Sequence, residues 1–233
     1  MNGGSVINLF NMDCMEAMRA MPDKAYDLAI VDPPYGKKPT RNADGLGAYP
    51  MRTFGLGSDS WDIKPEPEFF KELFRVSINQ IIWGGNYFIE HLYSTNCCVI
   101  WDKNKTFDAF ADCEIAWTSF KTVARIFRYT WNGMLQGDMK NKETRIHPTQ
   151  KPVRLYEFLL KNYAKPGDRI LDTHLGSGSS AIACHNMGFD LDGYEIDKDY
   201  YNAAIKRLND HKRQGSLFMP SEIFTPQNLT VKP

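Results

Sequence analysis

Asp32-Pro33-Pro34-Tyr35-Gly36 follows Tyr26 to Val31, an apolar run that reads as a buried strand. Two consecutive prolines fix φ and remove two backbone donors. They hold a carboxylate, a proline carbonyl and an aromatic ring in one preset arrangement. Such a set accepts hydrogen bonds and suits an amino group that presents two N–H donors. A strand-ending Asp-Pro-Pro also occurs as a plain turn, so the reading depends on what else the chain supplies.

Leu171-Asp172-Thr173-His174-Leu175-Gly176-Ser177-Gly178-Ser179 reads as a strand running through a glycine turn into a helix. Glycines at such a turn let a ligand approach the backbone closely, at a helix N-terminus. The segment lacks the full GxGxxG pattern, so a dinucleotide assignment is weak. Glu195 ends the next strand, within Gly193-Tyr194-Glu195-Ile196-Asp197, where an acid in a Rossmann-like fold can accept ribose hydroxyls. His147-Pro148-Thr149-Gln150-Lys151-Pro152 directly precedes the helix that leads into the glycine turn. Its hydroxyl and ammonium are groups that a ligand carboxylate attracts, although a solvated loop has the same composition.

In this order, catalytic motif before glycine motif, the three segments resemble the circularly permuted β-class of DNA amino-methyltransferases, the N6-adenine and N4-cytosine DNA methylases. The resemblance covers residues 6–36 and 147–210. It implies a catalytic set of Asp32, Pro33, Pro34 and Tyr35. It implies S-adenosylmethionine as cofactor, held by Asp13, Thr149, Lys151, Asp172, Gly176, Ser177, Gly178 and Glu195, and no metal. Asp13 would contact the cofactor adenine, and Thr149 and Lys151 its methionine end. The reaction implied is methyl transfer to N6 of an adenine flipped out of duplex DNA, with Tyr35 stacked on the base. The Asp-first motif is the form commonest in the adenine enzymes, and N4-cytosine is the alternative. An NAD-binding oxidoreductase would share the fold and the acid but leaves Asp32-Pro33-Pro34-Tyr35 unexplained. Thr173-His174 stands where the family usually has Pro-Phe, and Ser179-Ser180 where threonines are common.

The positioning elements follow from periodicity. Strands are expected at 6–10, 26–31, 80–83, 97–101, 113–118, 123–129, 169–172 and 191–196, and helices at 14–21, 66–76, 87–92, after Pro152, 179–187 and 200–211. The two strands at 113–118 and 123–129 read as an antiparallel hairpin. Strands alternating with helices give an α/β class: a doubly wound, Rossmann-like, mostly parallel sheet with circularly permuted motif order. Residues 1–212 are expected as a single domain carrying target-recognition segments around 37–61 and 121–145, with 213–233 as a tail. The first segment holds Tyr49, Phe54 and Trp61, aromatics able to stack on bases, and both segments are locally basic.

Composition adds exclusions. A hydrophobic share of 42% with 24% charged residues is that of an ordinary globular chain. No apolar run approaches the roughly 18 residues of a membrane span, so a cytoplasmic location and no membrane partner are expected. Cys14, Cys97, Cys98, Cys113 and Cys184 have no CxxC spacing and read as buried reduced thiols, and the five histidines show no metal-ligand pattern. A formal charge of zero is silent on nucleic acid, because phosphate contacts need only a local basic face. Double-stranded DNA is the partner that the resemblance implies, and it leaves room for a homodimer and for a restriction endonuclease partner.

Overall fold

The computed structural model describes residues 4–36, 63–104, 111–132 and 135–217. The long glycine-containing segment with Tyr49, Phe54 and Trp61 lies outside the described residues. In chain order the elements are β1 (Ile7–Asn11), α1 (Cys14–Ala20), β2 (Tyr26–Val31), α2 (Pro67–Val76), β3 (Ser77–Trp83), β4 (Cys98–Asp102), β5 (Cys113–Thr118) and β6 (Arg125–Arg128). They continue with β7 (Trp131–Asn132), β8 (Leu135–Gln136), α3 (Val153–Tyr163), β9 (Arg169–Asp172), α4 (Ser179–Met187), β10 (Asp190–Glu195) and α5 (Lys198–Leu217).

Local chemistry explains the main boundaries. The Asp13 carboxylate accepts the Met15 N–H at 2.8 Å and caps α1. Pro67 opens α2, whose Phe69, Phe70, Leu73 and Val76 form one buried stripe. Helix α4 starts and stops at Gly178 and Gly188, with φ of 73° and 75°, a backbone state that other residues adopt at a cost.

Among the described residues eight strands form one sheet in the spatial order β1, β10, β9, β2, β3, β5, β4, β6, and β7 and β8 form a separate short hairpin. Side chains alternate across the sheet. Leu28, Ile30, Ile81, Trp83 and Ile170 join the core under α3, α4 and α5, while Ala29, Val31, Ile82 and Leu171 join the core under α1 and α2. Every central strand is therefore buried on both faces, which is why the strands read as continuous apolar runs.

Three details depart from expectation. β5 and β6 do not form a hairpin: β5 pairs antiparallel with both β3 and β4, and β6 pairs parallel with β4. β5 buries Ala116, Trp117 and Thr118 and so fits an interior position, whereas β6 exposes Arg125, Ile126 and Arg128 and fits an edge. Residues 87–92 form two 3₁₀ turns, Gly85–Tyr87 and Ile89–His91, where a helix was expected. Helix α5 runs to Leu217, so the expected tail at 213–233 begins as helix.

The topology has one consequence for function. β2 pairs parallel with β9, Leu28 opposite Ile170 and Ala29 opposite Leu171. The chain order leaves the sheet in opposite directions from this pair, which makes it the switch point where ligands bind in open α/β sheets. Asp32 and Asp172, far apart in sequence, thus end neighbouring strands. Because β5 runs against its neighbours, its first residues, including Glu114, reach the same edge of the sheet.

Candidate active site

A cavity of about 390 Å³ opens at this edge. Its wall includes Asp32, Pro33, Pro34 and Tyr35 after β2, the 147–151 segment, His174 to Ser177 after β9, Glu195 and Ile196 after β10, and Tyr200 of α5. Lys103, Glu114 and Tyr156 complete it.

At one end, Asp32 is held from two sides. The Tyr35 hydroxyl donates to its Oδ1 at 2.7 Å, and the Lys151 ammonium bonds its Oδ2. Lys151 is 4% exposed and also lies 3.1 Å from Glu114 Oε2. Glu114 in turn pairs with Lys103 at 2.6 Å. Burial works against the Lys151 charge, but Asp32 and Glu114 outweigh it and hold the ammonium above its usual pKa. Burial likewise opposes ionisation of Glu114, yet Lys151 and Lys103 bring it down to about 2. Lys151 was expected to receive a cofactor carboxylate. The structure gives it two carboxylates of the protein, because a buried ammonium needs nearby counter-charge.

The Tyr35 ring stacks on Tyr87 with centroids 4.8 Å apart and meets Phe88 edge-on. A methyl added at Gly84 would lie 2.2 Å from Tyr35 Cε1, so the glycine closing β3 makes the space for this ring. Burial, then the Asp32 charge, pushes the Tyr35 hydroxyl well above its usual range, so it stays a donor to Asp32.

At the other end, the glycine turn is pinned by its neighbours. Gly176, at φ 51°, donates its N–H to Glu195 Oε2 at 2.8 Å, and Asp197 N donates to Oε1 at 2.9 Å. Each carboxylate oxygen keeps a further lone pair. A methyl built on Gly176 would sit in van der Waals contact with the His147 ring, 3.9 Å away. Asn11 Nδ2 fixes the strand end by donating to the Glu195 and Ile196 carbonyls. Ser179 Oγ donates to the Lys151 carbonyl at 2.7 Å, which ties the 147–151 segment to the turn.

Asp13, Asp172 and Gly178 are not part of the cavity wall. Asp13 caps α1, as described. Asp172 accepts the His174 N–H at 3.0 Å and the Ser180 hydroxyl, and burial raises its pKa to about 7. Gly178 packs against Ala204 of α5. Thr149 does line the cavity, and its hydroxyl meets His147 Nδ1 at 3.1 Å. Desolvation brings both His147 and His174 down to about 4, so both are neutral near pH 7. His174 also packs edge-on against Phe69, 5.3 Å between centroids.

Four contributors were not read from the sequence. Glu114 and Lys103 sit in strand ends without a motif. Gly84 follows the strand at 80–83 without a motif. Arg207 of α5 donates to the Ser177 carbonyl at 2.8 Å and to Ser179 Oγ at 2.9 Å, and pairs with Glu143 at 2.6 Å.

The cysteines are all free, but only Cys97 and Cys184 are buried, with Cys14, Cys98 and Cys113 half-buried. Among the described residues no helix is long and apolar enough to cross a membrane, and no group of three His, Cys, Asp or Glu can hold a metal.

A doubly wound sheet with an acid-Pro-Pro-Tyr segment and a glycine turn on adjacent strand ends defines an α/β methyltransferase fold. Among solved structures, the chain is similar to M1.HpyAVI in complex with SAM, at 21% identity and a TM-score of 0.55, over 87% of this chain and 100% of that one. It is also similar to the PvuII DNA methyltransferase (cytosine-N4-specific), at 13% identity and a TM-score of 0.58, over 91% and 93%. The sequence model of the DNA methylase family, of N6/N4 type, matches residues 100–206. The type II methyltransferase M.HpaI of Haemophilus parainfluenzae is 38% identical over 69 residues, 30% of this chain and 22% of that protein. M2.DpnII of Streptococcus pneumoniae is 37% identical over 78 residues, 34% of this chain and 29% of that protein. The match spans less than a third of either relative. Over these stretches the chain is similar to N6/N4 DNA methylases.

Proposed function

We propose that the protein transfers a methyl group from S-adenosylmethionine to an exocyclic amino group of a DNA base, N6 of adenine. The observation that carries this reading is the meeting of Asp32 and Glu195 on the wall of one cavity. The donor set fits the cofactor. Glu195 keeps acceptor capacity for ribose hydroxyls, Gly176 lines the cavity, Thr149 offers a hydroxyl, and Ile196 and Tyr200 offer an apolar and aromatic wall. When bound, S-adenosylmethionine supplies a methyl group already activated by its sulfonium.

The chain's own task is positioning. Asp32 and the Pro33 carbonyl accept the two amino hydrogens and orient the nitrogen lone pair. Tyr35 fixes one oxygen of Asp32 and lines the space for the base. Asp32 takes the proton that the amine releases once methylated. A paired base cannot reach this cavity, so it must leave the duplex at a cost of roughly a few kcal/mol. Lys121, Arg125, Arg128, Lys140 and Lys142 are exposed and available to phosphates, whereas Arg145 lies 4.5 Å over the Trp131 ring.

Asp32→Ala is expected to lower labelled-methyl transfer into DNA by roughly 10²-fold or more while S-adenosylhomocysteine still binds. Transfer near the wild-type rate would remove the assigned role. Glu195→Ala is expected to weaken S-adenosylhomocysteine binding roughly 10- to 100-fold in calorimetry. Digesting the modified DNA to nucleosides distinguishes N6-methyladenine, the expected product, from N4-methylcytosine.

A further inference from the structure

The end of the cavity around Asp32 holds more charge than an amine acceptor needs. Tyr35, Asp32, Lys151, Glu114 and Lys103 form one chain of contacts, in which two carboxylates alternate with two ammonium groups. These residues come from the ends of β2, β4 and β5 and from the 147–151 segment, so the grouping is a product of the tertiary fold.

We propose that Glu114 is a positioning residue for methyl transfer: by sharing the Lys151 ammonium with Asp32, it keeps the Asp32 carboxylate a strong acceptor for the amino group. This rests on the reading of Asp32 as that acceptor. A buried ammonium bonded to Asp32 alone would neutralise much of its charge and weaken it as hydrogen-bond acceptor and proton acceptor. Glu114 draws on the same ammonium from 3.1 Å and restores the balance, and Lys103 limits how far. Glu114 remains ionised throughout any assay range, held at about 2 by Lys151 and Lys103 against its burial.

Other groups face the cluster without changing its sign. Tyr156 of α3 and Tyr35 keep their protons, His147 beside Lys151 is neutral near pH 7, and Asp172 at the end of β9 interacts with Asp32 at longer range. Asp172, at about 7, titrates alike in the wild type and both variants, so the difference between the variants depends on Glu114 and Lys103. Glu114→Gln makes the surroundings of Asp32 more positive, and Lys103→Met makes them more negative. A merely structural role would not move the two variants in opposite directions.

The test measures kcat for labelled-methyl transfer into DNA between pH 4.5 and 9 with the full chain, beside S-adenosylhomocysteine binding and thermal melting. Glu114→Gln is expected to lower kcat about tenfold and to shift the acid limb down by about one pH unit, with cofactor affinity unchanged. Lys103→Met is expected to shift that limb upward. Limbs that stay in place or move together, while Asp32→Asn is inactive, would overturn the role of Glu114 and leave that of Asp32 intact. An active Asp32→Asn would overturn the underlying reading. Should Glu114→Gln fail to melt cooperatively, the upward shift in Lys103→Met decides, and its absence overturns the proposal.

Discussion

Both ends of the cavity hold buried ionisable groups, yet burial has opposite outcomes in them. Around the glycine turn it drives ionisable groups toward neutrality: Asp172 rises to about 7, Glu195 moves upward, and His147 and His174 fall to about 4. Around Asp32 the charged forms win, with Lys151 held above its usual value and Glu114 down at about 2. Opposite charges within bonding distance make the difference. Lys151 has two carboxylates against it, whereas Asp172 has a hydroxyl and an amide N–H. Desolvation costs both ends alike, and only counter-charge offsets it. A neutral end suits a turn that a ligand must approach closely. A charged end suits a carboxylate that must stay ionised out of water.

Lys151→Met should break this contrast most strongly. It leaves Asp32 and Glu114 facing each other with Lys103 alone to compensate. Removing one partner of a buried pair costs roughly 3–5 kcal/mol. A large fall in melting temperature is expected, together with loss of methyl transfer. A variant that melted like the wild type would show that the ammonium is not needed to hold the two carboxylates.

Gly84→Ala tests the same end through shape. Its backbone sits at φ 68°, and the added methyl would lie 2.2 Å from the Tyr35 ring. Strain and overlap together are expected to cost roughly 2 kcal/mol or more. Because Tyr35 fixes Asp32 Oδ1, transfer should fall more than S-adenosylhomocysteine binding does. Equal losses would mean that the ring supports the whole cavity and not Asp32 in particular.

The contrast was only partly legible in the sequence. Asp32 to Tyr35 and the 171–179 turn announce themselves because prolines and glycines impose backbone states that few other segments require. Their adjacency follows from the alternation of strands and helices, which fixes a sheet with a switch point. Glu114, Lys103 and Arg207 carry no such mark, since an isolated charge on a strand end or helix reads as solvated until the fold encloses it. The hairpin was misassigned for a related reason. Local alternation shows that 113–118 and 123–129 are strands, but β5 chose β3 and β4 as neighbours through the burial of Ala116 and Trp117, a tertiary preference. Asp13 illustrates the converse, because the acid before α1 satisfies a helix N-terminus first.

Asp172→Asn probes the neutral end and carries the smallest expected effect on methyl transfer. In the folded protein Asp172 holds its proton up to about 7, against an ordinary value of 3.8. Between those values the folded state binds a proton that the unfolded chain has released, so wild-type stability declines as pH rises through this window and levels off above it. Asparagine accepts the His174 N–H equally well and has no proton to lose. The melting temperature of the wild type relative to Asp172→Asn should therefore fall by roughly 8–16 °C between pH 4 and pH 8. A difference independent of pH would mean that Asp172 is ionised in the folded protein. The glycine turn would then hold its charge as the Asp32 end does, and the contrast between the two ends would disappear.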